Sequence, residues 1–248
     1  MEKKFNRSIR QWNLMKPICI IPARGGSKGV PGKNTRLIAG KPLIHYTIKS
    51  TLKSNIFSHV FVSTEDTKIA SLSKKSGAEV PFLRPNSLAD DKTPMDAVLV
   101  HFIEKLIELG YAFDTFVWRD CTVPFIRNED IIGSINLLKK KKANLVVGVY
   151  EQHLNPYYNV VEKTSTNHLK LVKKITRPVS RQKAPKVYQM NGLHTYDVKK
   201  FLIPKRKIHT ELNKALPYTI PIESGLMIDT EFEFQIARLF IENKLWKP

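Results

Sequence analysis

Three observations predict an α/β fold built on a mostly parallel central sheet. Short β-rich runs alternate with helical patterns along the chain, and a glycine-rich, cationic loop leaves the first strand directly. The apolar content of 42% and charged content of 25% are those of an ordinary globular protein. At 248 residues the chain accommodates one such domain with a full core, or one domain carrying a small lobe.

Residues 1–16 carry Lys3, Lys4, Arg7, Arg10 and Lys16 with no apolar stretch behind them. They read as a flexible basic arm, not a secretory signal, and the domain proper is expected over 17–248. Ile18 to Pro22 is the first strand, Leu43 to Ser54 a helix, Val60 to Ser63 a strand and Lys68 to Ser76 a helix, the rhythm of βαβ units. Met95 to Leu109 repeats apolar residues at helical spacing, and Thr115 to Trp118 is a buried strand. Asp130 to Lys142 is an amphipathic helix whose closing lysines form a solvated C-terminal face. After the strand Leu145 to Tyr150 the rhythm gives way to Asn-, Pro-, Tyr- and Lys-rich segments, so a small inserted lobe is expected from Glu151 to about Tyr196. Tyr218 to Ile222 closes the sheet. A helix from Thr230 to Asn243 follows, with Phe234, Ile236, Ala237, Phe240 and Ile241 on its inner face.

No apolar run approaches the roughly 18 residues of a membrane span, so no membrane role is expected. Cys19 and Cys121 stand about a hundred positions apart without a CxxC or Cys/His cluster, which argues against zinc or a disulfide framework and for a reducing, cytoplasmic setting. The formal charge of +19 would suit a polyanion, yet the lysines are spread along the whole chain and no nucleic-acid-binding signature accompanies them. A solvated lysine surface serving a negatively charged substrate is the expectation, and nucleic acid is not expected as a partner. His45, His153, His194 and His209 lack metal-ligand spacing and a paired nucleophile.

The chemistry concentrates in Ile21-Pro-Ala-Arg-Gly-Gly-Ser-Lys-Gly-Val-Pro-Gly-Lys-Asn34. Its glycines let backbone N–H groups approach an anion, while Arg24, Lys28 and Lys33 supply charge for a triphosphate. It is not a Walker A loop, because Ser27 stands where the first glycine belongs and Asn34 replaces the hydroxyl residue. A dinucleotide GxGxxG register is also missing.

This loop resembles the signature of the CMP-sialic acid synthetases (acylneuraminate cytidylyltransferases), relatives of the CMP-Kdo synthetases. The resemblance continues through Gly40 to Ile48, Val62 to Asp66, Arg84 to Ala89, Arg181 to Pro185, Asn191-Gly192 and Ile228 to Glu231, and so spans residues 17 to about 241. It implies a Rossmann-like nucleotidyltransferase fold with a small inserted dimerisation lobe. The activity implied is coupling of CTP to an eight- or nine-carbon acidic keto sugar, with magnesium as cofactor and pyrophosphate released. The nucleotide site would comprise Ala23, Arg24, Gly25, Gly26, Ser27, Lys28, Lys33, Asn34, Arg84 and Asp120. Within it Arg24, Ser27, Lys28 and Lys33 would meet the phosphates, and Asn34 and Arg84 the cytidine end. Lys33, Arg24 and Asp229 would be catalytic, and Arg181, Gln182 and Asn191 would meet the sugar. The same resemblance implies a homodimer in which the lobe crosses to the partner, buries Tyr157, Tyr158, Leu171 and Val172, and brings Arg181 to the partner's acceptor site.

Two departures from the family pattern matter. Where the family reads Asp-Ile-Asp, this chain has Met227-Ile-Asp229, and where it reads Gln-Pro-Thr-Ser-Pro, this chain has Asp120-Cys-Thr-Val-Pro124. The expectation is a metal held by Asp229 and Asp120, the second carboxylate having moved from 227 to 120. A different nucleotide or a Kdo-type acceptor is the alternative enzyme reading. A basic nucleic-acid-binding protein or a degenerate transferase scaffold is the non-enzyme one.

Overall fold

The computed structural model describes residues 15–90, 93–173, 178–202 and 212–246. Nearly all of the basic arm, and His209, therefore lie outside the described residues. A six-stranded sheet forms from β1 (Ile18–Pro22), β4 (His59–Ser63), β5 (Thr115–Arg119), β6 (Leu145–Glu151), β9 (Tyr188–Asp197) and β10 (Leu216–Thr219), in the order β10-β6-β9-β5-β1-β4. Only β9 runs against the others; its pairings with β5 and β6 are antiparallel, and every other pairing in the sheet is parallel. Two short antiparallel pairs lie beside it, β2 (Leu37–Ile38) with β3 (Lys41–Pro42), and β7 (Val161–Lys163) with β8 (Leu169–Leu171).

The helices are α1 (Leu43–Lys53), α2 (Thr67–Lys75), α3 (Met95–Glu108), α4 (Asn128–Lys141), α5 (Val198–Phe201) and α6 (Glu231–Glu242). They cover both faces of the sheet because strand side chains alternate. Cys19, Ile21, Val60, Val62 and Val117 pack with Ile44 and Ile48 of α1, Ile69 of α2 and Ile131 of α4. Ile18, Ile20, Phe61, Phe116 and Trp118 pack on the opposite face with Val98, Leu99, Phe102 and Leu106 of α3. A third cluster joins Phe234 and Ala237 of α6 to Val30, Ile38, Phe125 and Ile228, with Phe240 and Ile241 packed against it. The helix that closes the chain thus seals the loop after β1.

Most expected elements fall within two residues of their positions. The inserted lobe needs a correction. Tyr188 to Tyr196 lie in β9, inside the main sheet, so the lobe ends before Tyr188 and its described part is the exposed β7–β8 hairpin with its flanks. The mixed polarity of Tyr-Gln-Met-Asn-Gly-Leu-His-Thr-Tyr-Asp hid a strand because a bulge interrupts its alternation. Val147 pairs with His194 but Val149 with Met190, leaving Asn191, Gly192 and Leu193 opposite Gly148. The closing strand also starts earlier than expected, at Leu216, and Ile222 opens a single helical turn instead. Pro217 is tolerated there because β10 is an edge strand.

Candidate active site

The chain runs from β1 outward to β4, then returns across β1 to β5 on its other side. That reversal leaves a crevice beyond the carboxyl ends of the strands, the place where open α/β sheets bind ligands. A cleft of about 420 Å³ lies there, and Arg24, Ser27, Lys28, Lys33 and Asn34 of the loop line it together with Arg84, Asp120 and Asp229. Eight of the residues singled out in the sequence are therefore brought together from four separate segments.

Several of them are held by definite partners. Ala23, buried at the end of β1, donates its N–H to Ser63 O at 2.9 Å, which keeps the loop's first residue in register with β4. Glu65 then clamps the loop: Oε1 accepts from Gly25 N at 2.7 Å and Oε2 from Arg84 Nη2 at 2.6 Å. Arg84 and Glu65 are both largely enclosed, so removing either partner would leave a buried charge unpaired. Asn34 is buried too and donates Nδ2–H to Arg24 O at 3.0 Å. Asn34 Oδ1 and Arg84 Nε find no partner among the described residues. Gly25 and Gly26 shape the loop and do not line the cleft.

Lys33 occupies a single helical turn, Lys33–Thr35, and is only 7% exposed. Its Nζ donates to Ile228 O and lies 3.2 Å from Asp229 Oδ1, which places one fixed positive charge at the base of the cleft. The Asp229 side chain stays 59% exposed. It is not the cap of α6. Thr230 takes that role in a capping box with Glu233, whose Oε2 also accepts from Asp229 N at 2.8 Å. Gly29 admits this arrangement, because a Cβ there would lie 2.1 Å from Asp229 O. Arg36 completes the docking of α6 through a two-pronged pair with Glu231.

Asp120 follows β5 at the cleft floor. Its Oδ1 accepts from Trp118 Nε1 at 2.8 Å, and its N–H donates to Gly192 O at 2.9 Å. The β9 bulge brings Gly192 to φ +75 and so close that a Cβ would meet Asp120 Oδ2 at 2.4 Å. Burial pushes the Asp120 carboxyl up to about 6, against the opposing pull of the Trp118 hydrogen bond.

Among the described residues no group of three or more His, Cys, Asp or Glu side chains converges as a closed metal site. Two carboxylates in a cleft with room for phosphates suit magnesium, which takes one or two carboxylates plus phosphate oxygens and retained waters. Cys19 and Cys121 are free and buried, their thiols pushed up to about 12 by desolvation.

Other sequence-predicted residues lie elsewhere. Arg181 and Gln182 sit in an exposed helical turn, Arg181–Lys183, and line neither this cleft nor the cavity beside it. Asn191 is fully buried in the β9 bulge, with Oδ1 accepting from Leu193 N at 3.2 Å. Met227 packs against the core and accepts a weak 3.7 Å bond from Gln189 Nε2, so the residue standing where the family has a carboxylate does not line the cleft.

Sequence reasoning missed Glu65 as the loop clamp, although it lies within a quoted motif, and Arg119 entirely. Arg119 is fully buried and donates to Thr51 Oγ1 at 2.7 Å, Pro124 O at 3.1 Å and Ile126 O at 3.2 Å, pinning the segment that carries Asp120. Burial lowers its guanidinium to about 10, still charged at neutral pH. An arginine at the end of an otherwise apolar strand was the available signal.

A cationic loop at the switch point of an α/β sheet, facing two carboxylates, defines a nucleotidyltransferase. The chain belongs to the cytidylyltransferase family, whose profile matches residues 18–238. It is 30% identical over 228 residues to a CMP-N,N'-diacetyllegionaminic acid synthase of Legionella pneumophila, covering 92% of this chain and 97% of that one. It is 42% identical over 118 residues to a pseudaminic acid cytidylyltransferase of Campylobacter jejuni, 48% of this chain and 50% of the other. In fold it matches a CMP:2-keto-3-deoxy-manno-octonic acid synthetase solved with CTP, with a TM-score of 0.69 at 18% identity over 93% of this chain and all of that one.

Proposed function

We propose that this enzyme transfers the cytidylyl group of CTP to the anomeric hydroxyl of a nine-carbon acidic keto sugar of the sialic-acid type. The carrying observation is the convergence of Arg24, Lys28 and Lys33 with Asn34, Arg84, Asp120 and Asp229 in one cleft. The named activities of its relatives support the same reading.

The acceptor oxygen attacks the α-phosphorus, the bond from that phosphorus to the bridging oxygen of the β-phosphate breaks, and pyrophosphate leaves with its electron pair. The hydroxyl proton is released. Charge spreads over phosphate oxygens as this proceeds, so fixed cations stabilise the transition state more than the ground state. Arg24, Ser27 and Lys28 bind the phosphates, and Lys33, held in place before substrate arrives, faces the developing charge. Asn34 and Arg84, which line the cleft, read the cytosine end. Asp229 and Asp120 would be the residues to hold magnesium, whose part there would be to neutralise phosphate charge.

The working unit in this proposal is a homodimer in the cytoplasm. The lobe exposes Leu154, Val161, Leu169, Val172 and Val179, apolar surface that one chain leaves uncovered. A partner lying against it would receive Arg181, whose fork suits a carboxylate. The test is pyrophosphate release from CTP and magnesium with a panel of eight- and nine-carbon keto acids, alongside thermal shifts with CTP, GTP, UTP and ATP. Release only with CTP and a nonulosonic acid is expected. Turnover with another nucleotide, or with none of the acids, refutes the assignment.

A further inference from the structure

Arg119 closes β5 after Thr115, Phe116, Val117 and Trp118, and it is fully buried. Its three acceptors are all neutral: Thr51 Oγ1 on α1 at 2.7 Å, and the carbonyls of Pro124 at 3.1 Å and Ile126 at 3.2 Å. A guanidinium enclosed with neutral acceptors is costly to desolvate, and an apolar residue at the end of this strand would avoid that cost. What the arginine alone provides is a rigid fork. Its Nη2 draws the Pro124 and Ile126 carbonyls to one atom, while Nη1 ties the same group to α1. The turn between Asp120 and Ile126 is thus gathered onto a helix that lies outside it.

That turn is joined in series to the cleft. Thr47 Oγ1 of α1 donates to Cys121 O at 3.1 Å, and Val123 N to Asp120 O at 3.2 Å, so its first half is fixed as well. Thr122 O, between these bonds, accepts from Ile228 N at 3.0 Å. The other side of the same residue, Ile228 O, accepts from Lys33 Nζ. Arg119 and Lys33, two buried cations on different segments, are therefore connected through one turn and one backbone residue, with Ile228 wholly enclosed between them. A shift of the turn moves Thr122 O, and Ile228 must follow or lose its bond.

Resting on the cytidylyltransferase reading above, we infer that Arg119 is a positioning residue for that reaction, acting on Lys33 through the Thr122–Ile228 bond. It does not line the cleft. By holding the turn it fixes Ile228 O, and Ile228 O fixes where Lys33 Nζ stands when the phosphates arrive.

Arg119→Lys keeps a cation but loses the fork, and it is the test. Expected are a kcat lowered at least about tenfold, the scale on which displacing a catalytic group is felt, and a KM for CTP changed less than about threefold. In a Lys33→Ala background the same substitution should change kcat less than about threefold, because its effect passes through Lys33. Equal losses in the two backgrounds, the mark of a merely structural role, overturn the inference. Amide hydrogen exchange followed by NMR gives a readout that needs no turnover. In Arg119→Lys the Ile228 N–H should exchange at least about tenfold faster relative to the Val62 N–H, which bonds Glu79 O at the edge of the sheet. Ile228 exchange unchanged relative to Val62 overturns the relay. Should Arg119→Lys fail to fold, Thr51→Val, which removes one acceptor and leaves the arginine in place, carries the same readouts by the same criteria. Should no keto acid release pyrophosphate, the proposed reaction fails instead, and Ile228 exchange decides the relay by itself: faster exchange upholds it, and unchanged exchange overturns it.

Discussion

Lys33 Nζ and Asp229 Oδ1 lie 3.2 Å apart although 196 residues separate them in sequence, and this pair ties the phosphate loop to the start of α6. A cation held there before substrate binds is a preorganised electrostatic group, which loses nothing to reorganisation during the reaction. Lys33→Ala is therefore expected to lower kcat by at least about a hundredfold, with a circular dichroism spectrum like that of wild type. A folded variant with near-normal turnover would remove Lys33 from the chemistry.

Gly29 sits where a Cβ would come within 2.1 Å of Asp229 O, a backbone atom that cannot swing aside. Gly29→Ala should displace the Asp229 segment and cut kcat/KM at least about tenfold, since misplacing a catalytic group by an ångström can cost a hundredfold. Steady-state kinetics beside Gly26→Ala, whose Cβ would meet nothing within 4 Å, gives the control.

Glu65 bridges Gly25 N and Arg84 Nη2. Glu65→Gln keeps a hydrogen-bond acceptor for the loop but leaves the nearly buried Arg84 charge without its counterion, a loss of about 3 kcal/mol of stability for a pair this enclosed. Arg84→Ala should raise the KM for CTP more than it lowers kcat, because base recognition is mostly uniform binding. Equal changes in both parameters would place Arg84 in the chemical step.

Thr230, not Asp229, caps α6, so the Asp229 carboxylate can be altered without uncapping the helix. Asp229→Asn should nearly abolish activity with little change in melting temperature, Asp120→Asn should raise the magnesium requirement, and Met227→Asp should leave the magnesium requirement unchanged or lower it. Activity against magnesium concentration, for variants first verified as folded, is the measurement. An Asp229→Asn enzyme that keeps its rate and melts early would be a structural variant, and the metal would lie elsewhere.

Burial raises the Asp120 carboxyl from 3.8 to about 6. A carboxyl raised in the folded state binds more protons there than in the unfolded chain between those values, so stability falls as pH rises from about 4 to 6 and stays reduced above it. Removing the charge should thus stabilise the magnesium-free protein near pH 7.5 by on the order of 2 kcal/mol, and much less near pH 4.5. Thermal melts of Asp120→Asn and wild type at both pH values, without magnesium, test this. A stabilisation independent of pH would mean Asp120 is not held in an apolar setting.

The sequence by itself determined the α/β rhythm and the cationic loop after the first strand. These are local properties: side-chain period and glycine freedom act over a few residues and leave a readable pattern. Only the tertiary structure decided that β9 belongs to the sheet, because its bulge at Asn191, Gly192 and Leu193 breaks the alternation and is stabilised by β5 and β6 on either side. Tertiary packing likewise assigned Glu65 to the loop clamp and Arg119 to the Asp120 segment. It also divided Met227 and Asp229 between two cavities, though they are two residues apart. Each of these depends on the direction a side chain takes once distant segments meet, and such directions are set by long-range packing that no local pattern encodes.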